Sequence, residues 1–92
     1  MPIMKYLDFF CSKLIAESQE MNLEEEKSWQ VLLNHANAIC EAFSGPYYEA
    51  KGIQYPVTSS FRSYTKNRVI STLTLIQETK KEKEGKINGQ QI

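Results

Sequence analysis

His35 is the single histidine of this chain, and Cys11 and Cys40 are its only thiols, so any metal or nucleophile chemistry starts from these three residues. A zinc site on a helix needs a second ligand one turn away, three or four positions along. Around His35 those positions hold Val31, Leu32, Ala38 and Ile39, and Cys40 lies five residues on, off the same face. A Cys–His pair would also need an acid to orient it, and no local signature supplies one near Cys11 or Cys40. Four scattered glycines build neither a phosphate loop nor a dinucleotide fingerprint. Carboxylates are plentiful, but none sits at a telling spacing from an acid–base partner. The chain is expected to be no enzyme, to hold no metal and to need no cofactor. Two cysteines are too few for the disulfide framework of a small secreted domain, so both read as reduced, buried thiols. A single bridge stays open if the two leading helices pack antiparallel.

Aromatic residues are the better pointer to function. Phe9 projects away from the apolar stripe of its helix, among Lys5, Ser12 and Ala16, either as a lone surface apolar residue or as a contact with another subunit. Tyr47, Tyr48 and Tyr55 crowd one short connector, following Trp29 and Phe43. Tyrosine and tryptophan combine a large contact area with a hydrogen-bonding tip, the composition of a partner-binding hot spot. Phe9, Trp29, Tyr47, Tyr48 and Tyr55 are therefore the candidate partner-binding residues. The plainer alternative is that the tyrosines close the end of a small core.

A second candidate is basic. Arg62 and Lys66 are one helical turn apart, Arg68 is near, and Ser59, Ser60, Ser63, Tyr64, Thr65 and Asn67 supply short donors for phosphates or base edges. This makes a nucleic-acid-binding regulator the alternative function. Against it, the long connector 45–58 stands where a helix-turn-helix expects three or four residues, and the pI near 6.6 lacks a basic footprint.

The elements that must position these residues follow from periodicity. Ile3, Leu7, Phe10 and Leu14 give a helix over 3–18. Asn22 with Glu25 three positions later resembles a capping box and opens a helix over 23–44, ended by Gly45-Pro46. Its apolar face runs from Trp29 to Phe43, and Val31, Ala38 and Ala42 form a small-residue strip suited to close approach of a second helix. In the connector, Tyr47–Gly52 reads as one helical turn closed by a left-handed Gly52. Residues 59–84 read as a third helix, capped by Ser59 or Ser60, with Phe61, Val69, Leu73 and Ile76 on one face. The β-branched run Val69–Ile76 leaves a hairpin across Lys66-Asn67 as the alternative.

The expected fold is thus all-α, a three-helix bundle with a Tyr/Pro-rich connector; the alternative is α+β, two helices plus a C-terminal β-hairpin. Ninety-two residues make one domain, assigned to 1–84, with 85–92 as a mobile tail. A composition 41% hydrophobic and 24% charged excludes a disordered chain, and no stretch approaches the ~20 apolar residues of a membrane span. Asp8 and Lys13 interrupt the first apolar run, so a signal peptide is not expected and the location is expected to be cytoplasmic. Residues 1–50 hold three basic against eight acidic side chains, and residues 51–92 hold eight against three. That asymmetry marks either a nucleic-acid-binding end or self-complementary subunits. The favoured function is a non-catalytic protein–protein interaction module, an adapter, inhibitor or accessory subunit, with a protein partner or homodimer as the assembly.

Overall fold

Leu7, Cys11, Leu14 and Ser18 recur every three or four residues, and this is the face that the first helix, α1 (Ile3–Glu20), buries. A computed structural model describes the backbone of residues 2–91 and the side chains of residues 2–80; the segment 85–92, expected to be a tail, lies outside the described side chains. Cys11 takes the buried place on this face and Phe10 is half-buried beside it. The next helix, α2 (Glu26–Ala42), starts three residues later than its capping signal suggests. The Asn22 side chain accepts the Glu24 N–H (3.2 Å) and the Asn22 carbonyl accepts the Glu25 N–H (3.1 Å). Asn22 therefore closes a local turn and caps no helix, the competition that a short polar side chain always offers to a helix start.

The connector is where the structure departs from expectation. Tyr47–Ala50 (β1) and Ile53–Pro56 (β2) form an antiparallel hairpin, with Tyr48 opposite Tyr55 and Ala50 opposite Ile53. Gly52 is left-handed as expected (φ 77°), but Lys51 is too (φ 52°). Two consecutive positive φ values are the requirement of a two-residue type I′ hairpin turn, so the chain reverses and does not begin a helical turn. The Val57 N–H donates to the Pro46 carbonyl at 2.9 Å and extends the pairing by one step.

Residues 59–91 form the expected third helix, α3 (Ser59–Gln91), and the alternative hairpin across Lys66-Asn67 does not form. The cap is Thr58, whose hydroxyl accepts the Phe61 N–H at 3.0 Å; Ser59 and Ser60 lie inside the first turn. The β-branched residues that argued for strands are accommodated in two ways. Thr65 and Thr72, both buried, donate their hydroxyls to the carbonyls four residues back, Phe61 and Arg68, at 2.8 Å each. With Phe61, Val69 and Ile76 they make one stripe that packs on α1 and α2, and burial of that stripe outweighs propensity.

The molecule is mostly helical, with one small hairpin at its end. Leu14, Leu32, Ala36, Val69 and Ile76 form the core shared by all three helices, with Trp29, Ile39 and Leu73 packed against it. Leu7, Cys11 and Phe43 form a second core cluster, with Phe10, Tyr48 and Phe61 packed against it. Among the described residues no helix is long and apolar enough to cross a membrane.

Candidate interaction surface

The end of the bundle under the hairpin is built from aromatic rings. Phe43, the first residue after α2, is fully buried and touches Tyr48 (ring centroids 4.6 Å apart), Phe61 (5.6 Å) and Phe10 (6.1 Å). Tyr6 of α1 meets Tyr48 at 5.3 Å and Tyr55 at 5.5 Å. Tilted and edge-on pairs of this kind add ~0.5–1.5 kcal/mol each beyond area burial. They weld a two-stranded hairpin, marginal alone, onto the helices. Burial, aided by Tyr6, pushes the Tyr48 hydroxyl above its ordinary pKa. A side-chain hydrogen bond with Tyr6, then burial, does the same for Tyr55.

The five aromatic candidates therefore divide. Tyr48 and Tyr55 face inward, and Trp29 is half-buried against the main core. Phe9 and Tyr47 remain on the surface, 58% and 56% exposed. Tyr47 stands on the outer face of β1, because strand residues alternate.

The basic candidates divide as well. Arg62 turns back on the chain: Nη1 donates to the carbonyls of Gly45 and Val57 (3.3 Å each) and Nη2 to the Ser59 hydroxyl (3.2 Å). It thus ties both ends of the connector to the start of α3. Arg68 donates to Asp8 Oδ1 at 2.7 Å and to the Tyr64 hydroxyl at 3.1 Å, and lies 5.8 Å from the Tyr64 ring centre. The bonds from Tyr64 and Asp8 push its pKa up, holding the guanidinium charged. Lys66 is exposed. The Asp8–Arg68 pair shows one use of the charge asymmetry, an acid of α1 answered by a base of α3 within the same molecule.

On the opposite side of α1, an open groove of about 290 Å³ runs between α1 and α2. Phe10, Leu14 and Ile39 form its floor, Ala38 and Ala42 widen it, and Lys13, Glu17 and His35 stand along it. His35 Nδ1 and Glu17 Oε2 approach to 2.5 Å across the two helices. Phe9 rises beside the groove, its ring 5.8 Å from that of Phe10. The Ala38–Ala42 wall was readable as the small-residue strip of α2. The facing side, Lys13 and Glu17, carried no signal because it depends on how α1 is rotated against α2. A second cavity of about 490 Å³ lies between the turn after α1 and α3, bounded by Met21, Leu23, Leu75 and Ile76; Lys80 Nζ donates to the Leu23 carbonyl there at 2.9 Å.

Cys11 is buried and Cys40 half-buried, both as free thiols. Burial pushes the Cys40 thiol up, against a smaller opposing pull from Lys66, which is the reverse of an activated nucleophile. Among the described residues no three His, Cys, Asp or Glu side chains are gathered to hold a metal ion. No protein-family model matches the chain, nor does any curated protein or solved structure.

Proposed function

We propose that this protein is a non-catalytic protein–protein interaction module whose docking surface is the α1–α2 groove with Phe9 at its rim. One observation carries the reading: a large aromatic ring, 58% exposed, stands beside an apolar groove floored by Phe10, Leu14 and Ile39. Burying a phenylalanine stabilises a complex by roughly 1.5–3 kcal/mol, so a partner that covers this ring gains that much. Alanines at 38 and 42 leave room for an incoming side chain or helix, and the charged groups along the groove are those of a polar rim. The runner-up, nucleic-acid binding, loses support from the same structure, since Arg62 and Arg68 already serve the fold.

The test places p-benzoylphenylalanine at position 9, where an aromatic replaces an aromatic, and at position 74 on the exposed side of α3 as the control. Photolysis in the native host, followed by nuclease treatment and mass spectrometry, is expected to give a protein adduct from position 9 and not from position 74. Equal adducts from both positions, or adducts that nuclease removes, would refute the groove as a protein-docking surface.

A further inference from the structure

We propose that the occupant of the groove is a second copy of this chain, seated with its α1 antiparallel to the first; this rests on the docking role of the groove given above. The basis is the ridge Lys5–Phe9–Lys13–Glu17, four residues at successive intervals of four on α1. Rows of this spacing are the ridges that interdigitate when helices pack. Lys5, Phe9 and Lys13 are exposed, and Glu17 is half-buried. The ridge is ~18 Å long at 1.5 Å per residue.

Its order of charges is self-complementary. When two such ridges meet antiparallel about a two-fold axis midway between Phe9 and Lys13, Lys5 faces the second copy's Glu17. Each Phe9 ring then faces the second copy's Lys13, an aromatic face against an ammonium. Both contacts occur twice, as an isologous interface requires. The groove completes the fit. The Glu17–His35 and Phe10–Phe43 contacts show α2 antiparallel to α1, with Ala38 level with Lys13 and Leu14. A Phe9 ring arriving opposite Lys13 therefore meets the space beside Ala38. The chain carries no net charge at pH 7, so two copies approach without long-range repulsion.

Sedimentation velocity across a concentration series tests this, with far-UV circular dichroism confirming that each variant is folded. The wild type is expected to dimerise and to dissociate on dilution, and Phe9→Glu to stay monomeric. Lys5→Glu and Glu17→Lys each set like charges at both symmetric contacts, and each is expected to weaken the dimer roughly ten- to thirtyfold. Mixing those two variants restores opposite charges at both contacts, so the mixture is expected to form a one-to-one heterodimer at concentrations too low for either variant to associate alone. A wild type that stays monomeric at every concentration overturns the second copy as occupant. So does a mixture that associates no better than its components. If position 9 still crosslinks to a different protein in either case, the docking role of the groove stands and only the identity of the occupant is lost.

Discussion

Arg62 offers the sharpest test of how this small domain is held together. Its guanidinium touches the chain before the hairpin, at the Gly45 carbonyl, and after it, at the Val57 carbonyl and Ser59 hydroxyl. Hydrogen bonds from a charged donor contribute ~1.5–3 kcal/mol each when well formed. At 3.2–3.3 Å these three are long, the two to carbonyls part-buried and the one to Ser59 exposed, and water replaces some of them once the side chain is gone. Arg62→Ala is therefore expected to lose about 2 kcal/mol in all, well short of the sum of three ideal bonds. For a domain of this size each kcal/mol moves Tm by ~4–8 °C, so the expected fall is ~8–16 °C. Urea unfolding followed by far-UV circular dichroism reads the loss as a lower midpoint at unchanged slope. Arg62→Lys is expected to recover less than half of it, because one ammonium on a flexible stem cannot span two carbonyls as the planar fork does. A loss below ~0.5 kcal/mol for Arg62→Ala, the range of an ordinary surface substitution, would refute the clamp. It would return Arg62 to the candidates for binding something outside the molecule.

Two further outcomes follow from the hairpin and its tyrosines. Lys51→Asn is expected to stabilise by several tenths of a kcal/mol, read by the same urea midpoint, because asparagine accepts the positive φ of the first turn position better than lysine; an unchanged or lower midpoint would count against the type I′ turn. Tyr48 and Tyr55 hold their protons above the ordinary tyrosine value of 10.0, so below that pH their contribution to stability is fully present in the fold. As pH climbs past 10 the unfolded chain ionises first, and the contribution is lost as pH rises through the folded-state values. An ultraviolet titration of tyrosinate is expected to lag in the native protein behind the urea-denatured one, and superimposable curves would show that the cluster does not hold its protons.

Much of the architecture was legible along the chain. The α1 and α2 stripes and the stop at Gly45-Pro46 are written within one or two turns of backbone, so the two helices follow from spacing alone. The α3 stripe is equally periodic, but its β-branched residues pull toward strand, and packing on α1 and α2 decided the matter. The hairpin was missed for a local reason. Lys51-Gly52 between Tyr-Tyr and Ile-Gln-Tyr carries β-forming flanks around a turn residue, but lysine is not among the usual first residues of a type I′ turn. At the surface, the exposure of Phe9 and the small-residue strip at Ala38 and Ala42 were visible in sequence; the groove that joins them was not.

By itself, then, the sequence determined the first two helices, the apolar stripe of each of the three helical segments, and that no catalytic constellation is spelled out at local spacing. Those properties depend on periodicity and capping, which act over a few residues. Only the tertiary structure decided what each polar or aromatic side chain is for. Arg68 reads as a free cation until Asp8, sixty residues away, is brought to 2.7 Å; Tyr48 reads as a docking residue until Phe43 closes over it. Glu17 and His35 meet across eighteen residues because the buried core packs α1 against α2, and that packing opens the groove. The physical reason is the same in each case: pairing and burial are set by distance in space, and a linear pattern does not contain that distance.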